Sequence, residues 1–142
     1  MTNFLSINSK VLSKIEVPEY FNCIQYAVGN SRINSLFEGK VSAKIDYKAC
    51  FVDACQEIGV IAEECSADEA SKGNGHYVGL AFWYTDPDRY DYPWDYHAYR
   101  IVDREWTHKD GSHGGVCYVS PHEQFEATHC DYATFYRLVK KD

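Results

Sequence analysis

The hydrophobic period of the chain changes at residue 76, and this change constrains the fold more than any other feature of the sequence. Before it, apolar residues recur at three- and four-residue steps, as in Phe51, Ala54 and Ile58, which is the spacing of one helix face. After it come runs rich in aromatic and branched residues, such as HYVGLAFWY and DYHAYRIVD, which are typical of strands. Helices first and an antiparallel sheet afterwards is the pattern of an α+β domain.

Local end signals locate the predicted helices. Asn22 is a candidate N-cap for a helix that begins with CIQYAV and stops at Gly29. A second helix is predicted over residues 45–58 from its apolar spacing. Ser66 and Glu69 have the spacing of a capping box, which predicts a short third helix.

The second half of the chain predicts a hairpin. DYHAYRIVD reads as a strand with His97, Tyr99 and Ile101 on one face. Asp103 and Arg104 form a tight turn into EWTHKDG, the partner strand. VCYVS and YATFYRLV add further short strands.

Size and charge limit the functions that the chain can have. Its 142 residues predict one domain over 1–142, and a formal net charge of −7 argues against nucleic acid as a partner. No run of about 18 apolar residues exists, so no membrane partner is expected. The N-terminus lacks the features of a signal peptide, which predicts a protein that is cytoplasmic as synthesised. Action elsewhere would require a specialised secretion system.

The six cysteines are expected to be thiols in a reducing compartment. Cys50 and Cys55 fall in the second predicted helix, where their separation would strain a disulfide between them. No C-x-x-C pair occurs, and neither a metal nor a cofactor is expected. Four histidines close in sequence are candidate metal ligands but lack the spacing of a strong site: His108, His113, His122 and His129.

Cys23 is the one cysteine at a predicted helix start, because it directly follows Asn22. Unpaired amides and the positive end of the helix dipole stabilise a thiolate there, so a lowered pKa is expected for Cys23. Its own N–H can also face the negative charge that develops on a carbonyl oxygen under attack. His97, in the middle of a strand, is the candidate acceptor of the thiol proton.

A third polar group should orient the imidazole of His97. His108 lies 11 positions later, on the partner strand of the predicted hairpin. The register is uncertain by about one residue, so Asp103 and Asp110 remain alternatives.

These residues resemble the NlpC-type cell-wall cysteine peptidases of the papain-like superfamily. The resemblance is carried by NCIQYA and by DYHAYRI with EWTHKDG…GGV, within about 22–29 and 95–116. That family has a cysteine at a helix start, a histidine in a strand, and a polar third residue about a dozen positions later. Cys23, His97 and His108 match these positions, although the family usually has Asp-Cys-Ser where this chain has Asn-Cys-Ile. The same windows also resemble small bacterial effector and mobile-element proteins of the superfamily.

The resemblance implies a papain-like fold with N-terminal helices packed on an antiparallel sheet. It implies a cysteine hydrolase that cleaves an amide bond, in peptidoglycan peptides, through a Cys-His-His triad. A peptide or peptidoglycan-like substrate and a cognate immunity protein would then be the partners. The alternative hypothesis is a non-catalytic binding or accessory module on a papain-like frame encoded by a mobile element, with the Tyr-rich segment 86–95 as its contact surface.

Overall fold

The computed structural model describes residues 20–41, 47–84, 94–109, 115–130 and 132–140. These residues form five helices and six strands. In chain order the elements are α1 (Cys23–Val28), α2 (Ile33–Val41), α3 (Tyr47–Glu57), β1 (Val60–Cys65), α4 (Ala67–Lys72), β2 (His76–Tyr84), β3 (Trp94–Val102), β4 (Glu105–Lys109), β5 (Val116–Tyr118), α5 (Pro121–Thr128) and β6 (Tyr132–Lys140).

The six strands form one antiparallel sheet in the order β1-β6-β2-β3-β4-β5. The predicted α+β class and antiparallel sheet are therefore confirmed. The predicted separation of helices from strands is wrong, because β1 precedes α4 and because α5 lies between β5 and β6. β1 lies at one edge of the sheet, and its pairing with β6 joins residues some 70 to 80 positions apart, such as Val60 with Lys140.

Apolar side chains cover both faces of the sheet. We call the side of α1, α2 and α3 the first face and the opposite side, where α4 and α5 contribute buried alanines, the second face. The first-face core includes Ile24, Val28, Phe37, Phe51, Val78, Leu80, Ala98 and Tyr136. The second-face core includes Ala70, Tyr77, Ala81, Ile101, Trp106, Ala127 and Phe135. None of the described helices is long and apolar enough to cross a membrane.

The β3–β4 hairpin turns where the sequence predicts. Asp103 and Arg104 both have positive φ, at 47° and 75°, as a two-residue type I′ turn requires. Val102 pairs with Glu105 across this turn. The pairing sets the register that brings the two strands' histidines toward each other.

The helix-end predictions hold where the chain is described. Asn22 and Ser66 are the N-caps of α1 and α4, and α3 occupies Tyr47–Glu57 of the predicted 45–58, whose first two residues lie outside the described ranges. Cys50 and Cys55 are buried in α3 and are not joined by a disulfide, as expected. The sequence interpretation missed α2 and α5.

Side chains from three adjacent strands fix the position of α1. His76 on β2 contacts the carbonyl oxygen of Ala27 through Nε2 at 2.7 Å. Arg100 on β3 donates from Nη1 to the carbonyl oxygen of Tyr26 at 3.1 Å. The Tyr26 hydroxyl contacts the hydroxyl of Thr107 on β4 at 2.8 Å. These contacts hold the helix that begins with Cys23 in one place on the first face.

His76 should make stability fall in mild acid. Burial, followed by the charge of Arg100, lowers the pKa of His76 to about 3. Because the unfolded chain takes up this proton near pH 6.5, the free energy of unfolding should drop by up to about 1.4 kcal/mol per pH unit between roughly pH 6.5 and 3. Urea unfolding from pH 7 to 4 tests this, with His76→Gln as the comparison. Gln keeps a donor for Ala27 without titrating, so equal slopes in both proteins would contradict the assignment.

Candidate active site

Cys23 is the first residue of α1, and a complete capping box holds this helix end. The Asn22 side-chain oxygen accepts from the Gln25 amide at 3.1 Å, and the Gln25 side chain accepts from the Asn22 amide at 2.8 Å. Asn22 also donates to the Asn34 side chain at 2.6 Å, which links the cap to α2. Gly29, with φ 82°, ends the helix in the left-handed conformation. Cys23 therefore occupies the helix-start position that the sequence predicts.

The expectation of a lowered pKa for Cys23 is wrong in this structure. Burial raises the pKa of the Cys23 thiol to about 11, and Asp95 adds a smaller rise. Backbone amides of Ala98, Ile24 and Cys23 itself act in the opposite direction and do not outweigh the burial. The reason is that the thiol packs against the first-face core and loses water. At neutral pH the resting residue is a protonated thiol.

His97 and His108 are in direct polar contact. The Nε2 atom of His97 lies 2.7 Å from the Nδ1 atom of His108, and the two rings are nearly perpendicular at 88°. Tyr99 contacts both rings on the second face, edge-on to His97 at 4.9 Å and stacked on His108 at 5.7 Å between centroids. The predicted proximity of these two histidines across the hairpin is present.

The thiol of Cys23 approaches β3 at the residue next to His97. It interacts with the backbone of Ala98, which directly follows His97 in the strand. The side chain of Ala98 belongs to the first-face core, whereas His97 contacts Tyr99 and His108 on the second face. The Cys23 thiol therefore meets β3 at Ala98 on the first face. The imidazole of the preceding residue, His97, lies on the second face. Their catalytic roles remain predictions.

The two alternatives for the orienting residue have different outcomes. Asp103 lies in the hairpin turn, where its carboxylate accepts a hydrogen bond from the Gly75 amide at 2.8 Å. This carboxylate therefore stabilises the turn. Asp110 lies outside the described residues, as do positions 86–93 of the Tyr-rich segment. His108 is the alternative for which a contact with His97 is observed.

Two further residues beside His108 were missed by sequence reasoning. Glu123 on α5 has a carboxylate oxygen 3.7 Å from His108 Nε2. The series Ser120-Pro121-His122-Glu123 carries a capping-box signal with proline at the first helical position, which could have revealed both the helix and this residue. Cys117 on β5 pairs in register with His108 and is exposed, and no local pattern predicts that pairing.

The other histidines that the structure describes do not gather into a metal site. His122 pairs with Glu126 on the surface of α5 at 3.0 Å, and His129 contacts the carbonyl oxygen of Phe125 at 2.9 Å. His113 lies outside the described residues. Within the part of the chain that the structure describes, no group of three or more His, Cys, Asp or Glu side chains is placed to hold a metal ion.

Comparison of the chain with protein-family models, with curated proteins and with solved structures finds no match. The sequence resemblance and the geometry of Cys23, His97 and His108 are therefore the grounds on which a function is proposed.

Proposed function

We propose that the chain is a cysteine hydrolase that cleaves an amide bond, on a papain-like frame. Cys23 is the nucleophile, His97 is the base and then the acid, and His108 orients His97. The observation that carries this proposal is the 2.7 Å contact between His97 Nε2 and His108 Nδ1. In this contact one nitrogen of His97 interacts with the orienting residue, as a triad requires. The Cys23 thiol meets the same strand at the next residue, Ala98.

The proposed reaction starts from a neutral thiol, because burial raises the pKa of Cys23 to about 11. His97 uses Nε2 for His108, so the proposed reaction assigns Nδ1 as the acceptor of the thiol proton. It requires this nitrogen and the Cys23 sulfur, which lie on opposite faces of the sheet in the resting structure, to come together as sulfur attacks the substrate carbonyl carbon. Backbone amides at the start of α1 stabilise the resulting oxyanion. The C–N bond then breaks, the amine leaves with the proton from His97, and water hydrolyses the thioester to release the acid and restore the thiol.

The substrate class that we favour is a peptide stem or crosslink of peptidoglycan, with a protein side-chain amide as the next choice. This part of the proposal comes from the resemblance to NlpC-type peptidases. Export by a specialised secretion system and a cognate immunity protein belong to the same proposal, since a wall-cleaving enzyme has to reach its substrate and endangers the cell that makes it.

A second candidate function is a binding module that keeps the frame without catalysis. Two observations favour it. Burial raises the pKa of the Cys23 thiol to about 11, opposite to the shift that activates a nucleophile. In addition, Cys23 packs with the first-face core while His97 makes its ring contacts on the second face. A binding module would hold a peptide without consuming it.

Incubation of the reduced protein with purified muropeptides, followed by mass spectrometry, separates the two functions. The hydrolase account expects each cleaved substrate to yield two products whose masses sum to the substrate plus one water. The binding-module account expects that intact muropeptide is recovered in complex with the protein. Binding without any cleavage product would contradict the hydrolase account. A panel of peptides with side-chain amides extends the same assay to the second substrate class.

A further inference from the structure

We infer that Glu123 is a positioning residue that sets which nitrogens of His108 and His97 carry protons, so that Nδ1 of His97 is the basic nitrogen. The inference deepens the proposed function and rests on it for its catalytic meaning. The geometry on which it depends is independent of any substrate.

The N-terminal cap of α5 aims the Glu123 carboxylate at His108. The Ser120 side chain accepts from the Glu123 amide at 3.2 Å, and Glu123 Oε1 accepts from the Ser120 amide at 3.2 Å. With one carboxylate oxygen fixed in this way, the other, Oε2, lies 3.7 Å from His108 Nε2. That separation is longer than a hydrogen bond and short enough for a direct charge interaction.

The Glu123 side chain is an anion at neutral pH. Hydrogen bonds from Ser120 are the main cause that lowers the pKa of Glu123, and the nearby His108 and His97 add to the lowering. A carboxylate accepts hydrogen bonds and donates none. It therefore favours a proton on the nitrogen that faces it, which is Nε2 of His108.

The proton positions then follow along the chain of contacts. A neutral imidazole carries a proton on only one nitrogen, so a proton on His108 Nε2 leaves His108 Nδ1 as an acceptor. The 2.7 Å contact with that acceptor requires His97 Nε2 to be the donor. His97 Nδ1 is then the unprotonated nitrogen, which is the one that the proposed reaction needs. The negative charge of Glu123 on α5 thus determines which nitrogen of His97 on β3 is the basic one.

Ring orientation and proton position are controlled by different groups here. Tyr99 stacks on His108 with 27° between the ring planes and meets His97 edge-on at 81°. These contacts hold the planes of both rings but do not select a tautomer. Of the contacts described at the site, the Glu123 carboxylate is the one that distinguishes the two nitrogens of His108 by charge.

The test is nitrogen NMR of histidine tautomers in the free protein, with 15N-labelled histidine at about pH 8.5, where ordinary imidazoles are neutral. We expect Nε2 of both His97 and His108 to show the shift of a protonated nitrogen, and Nδ1 of both that of an unprotonated one. In Glu123→Gln, Oε1 can still cap Ser120, so an NH₂ group faces His108 instead of an oxygen. Both histidines should then exchange tautomers, and His97 Nδ1 should become protonated.

Glu126→Gln is the matched control, because it removes a charge from the same helix at a residue paired with His122. It should keep the wild-type nitrogen shifts. Protonated Nδ1 in the wild type, or unchanged shifts in Glu123→Gln with a folded spectrum, would overturn the inference. The tautomer measurement needs no turnover, so a protein that shows the expected shifts but cleaves nothing refutes the hydrolase alone. Cleavage that persists in Glu123→Gln with unchanged tautomers refutes the role of Glu123 alone.

Discussion

Replacement of Cys23 by alanine should abolish amide cleavage, and Cys65→Ala should leave it unchanged. The Cys23 sulfur forms the covalent bond to the substrate in the proposed reaction, and alanine provides no nucleophile. Cys65 is a matched control because burial also raises the pKa of its thiol to about 11, while its strand, β1, is separated from β3 by β6 and β2. Product formation measured by mass spectrometry checks the result, with a thermal melt to show that both variants fold.

Cys117 provides the critical comparison for this prediction. It pairs in register with His108 on the neighbouring strand and is exposed, so it is a second cysteine placed beside the histidine pair. Cys117→Ala should cleave at the wild-type rate. If Cys117→Ala lost the activity and Cys23→Ala kept it, the nucleophile would be on β5 and the helix-start account would be wrong.

Local signals predict the parts of the site that depend on few neighbouring residues. Asn22 followed by Cys23 specifies a helix start because the capping box closes within three residues. Asp103 and Arg104 specify the hairpin, and its register then brings His108 to His97. In both cases the residues that determine the local structure lie within one short segment of the chain.

Features that arise from long-range packing could not be predicted in this way. The raised pKa of Cys23 reflects how closely the first-face core surrounds the thiol, which depends on elements from α1 to β6. The approach of Glu123 to His108 depends on where α5 crosses the sheet. α5 itself has a clear local signal in Ser120 and Pro121. The helix was therefore predictable, although its contact with His108 was not.

The same difference between local signals and long-range packing explains which strand pairs could be predicted. The β2–β3 and β3–β4 pairs join segments that are neighbours in sequence, and the turn signal at Asp103 and Arg104 predicts the second of them. β1 was missed because VIAEEC is short and its partner β6 lies at the far end of the chain. The papain-like identity of the fold remains a prediction from the resemblance.

Removal of the imidazole of His97 should slow alkylation of Cys23 by about a hundredfold or more near pH 7.5, the scale of a lost general base. A thiol of pKa about 11 that acts alone reacts through its thiolate, so its rate rises about tenfold per pH unit up to pH 11. Assistance by the unprotonated imidazole of His97 adds reaction at pH values well below 11. His108→Ala should reduce this added reaction only in part, because it leaves the proton acceptor in place.

The measurement that tests the central claim most directly is the pH profile of Cys23 alkylation by iodoacetamide, read by peptide mass spectrometry in wild type and in His97→Ala. Cys65 in the same sample is the internal standard, since burial also raises its pKa to about 11. The account predicts that wild-type Cys23 reacts at pH values well below 11 and that His97→Ala removes this reaction, whereas Cys65 has the same profile in both proteins. Identical profiles for Cys23 with and without the His97 imidazole would contradict the claim that these two residues act as a pair.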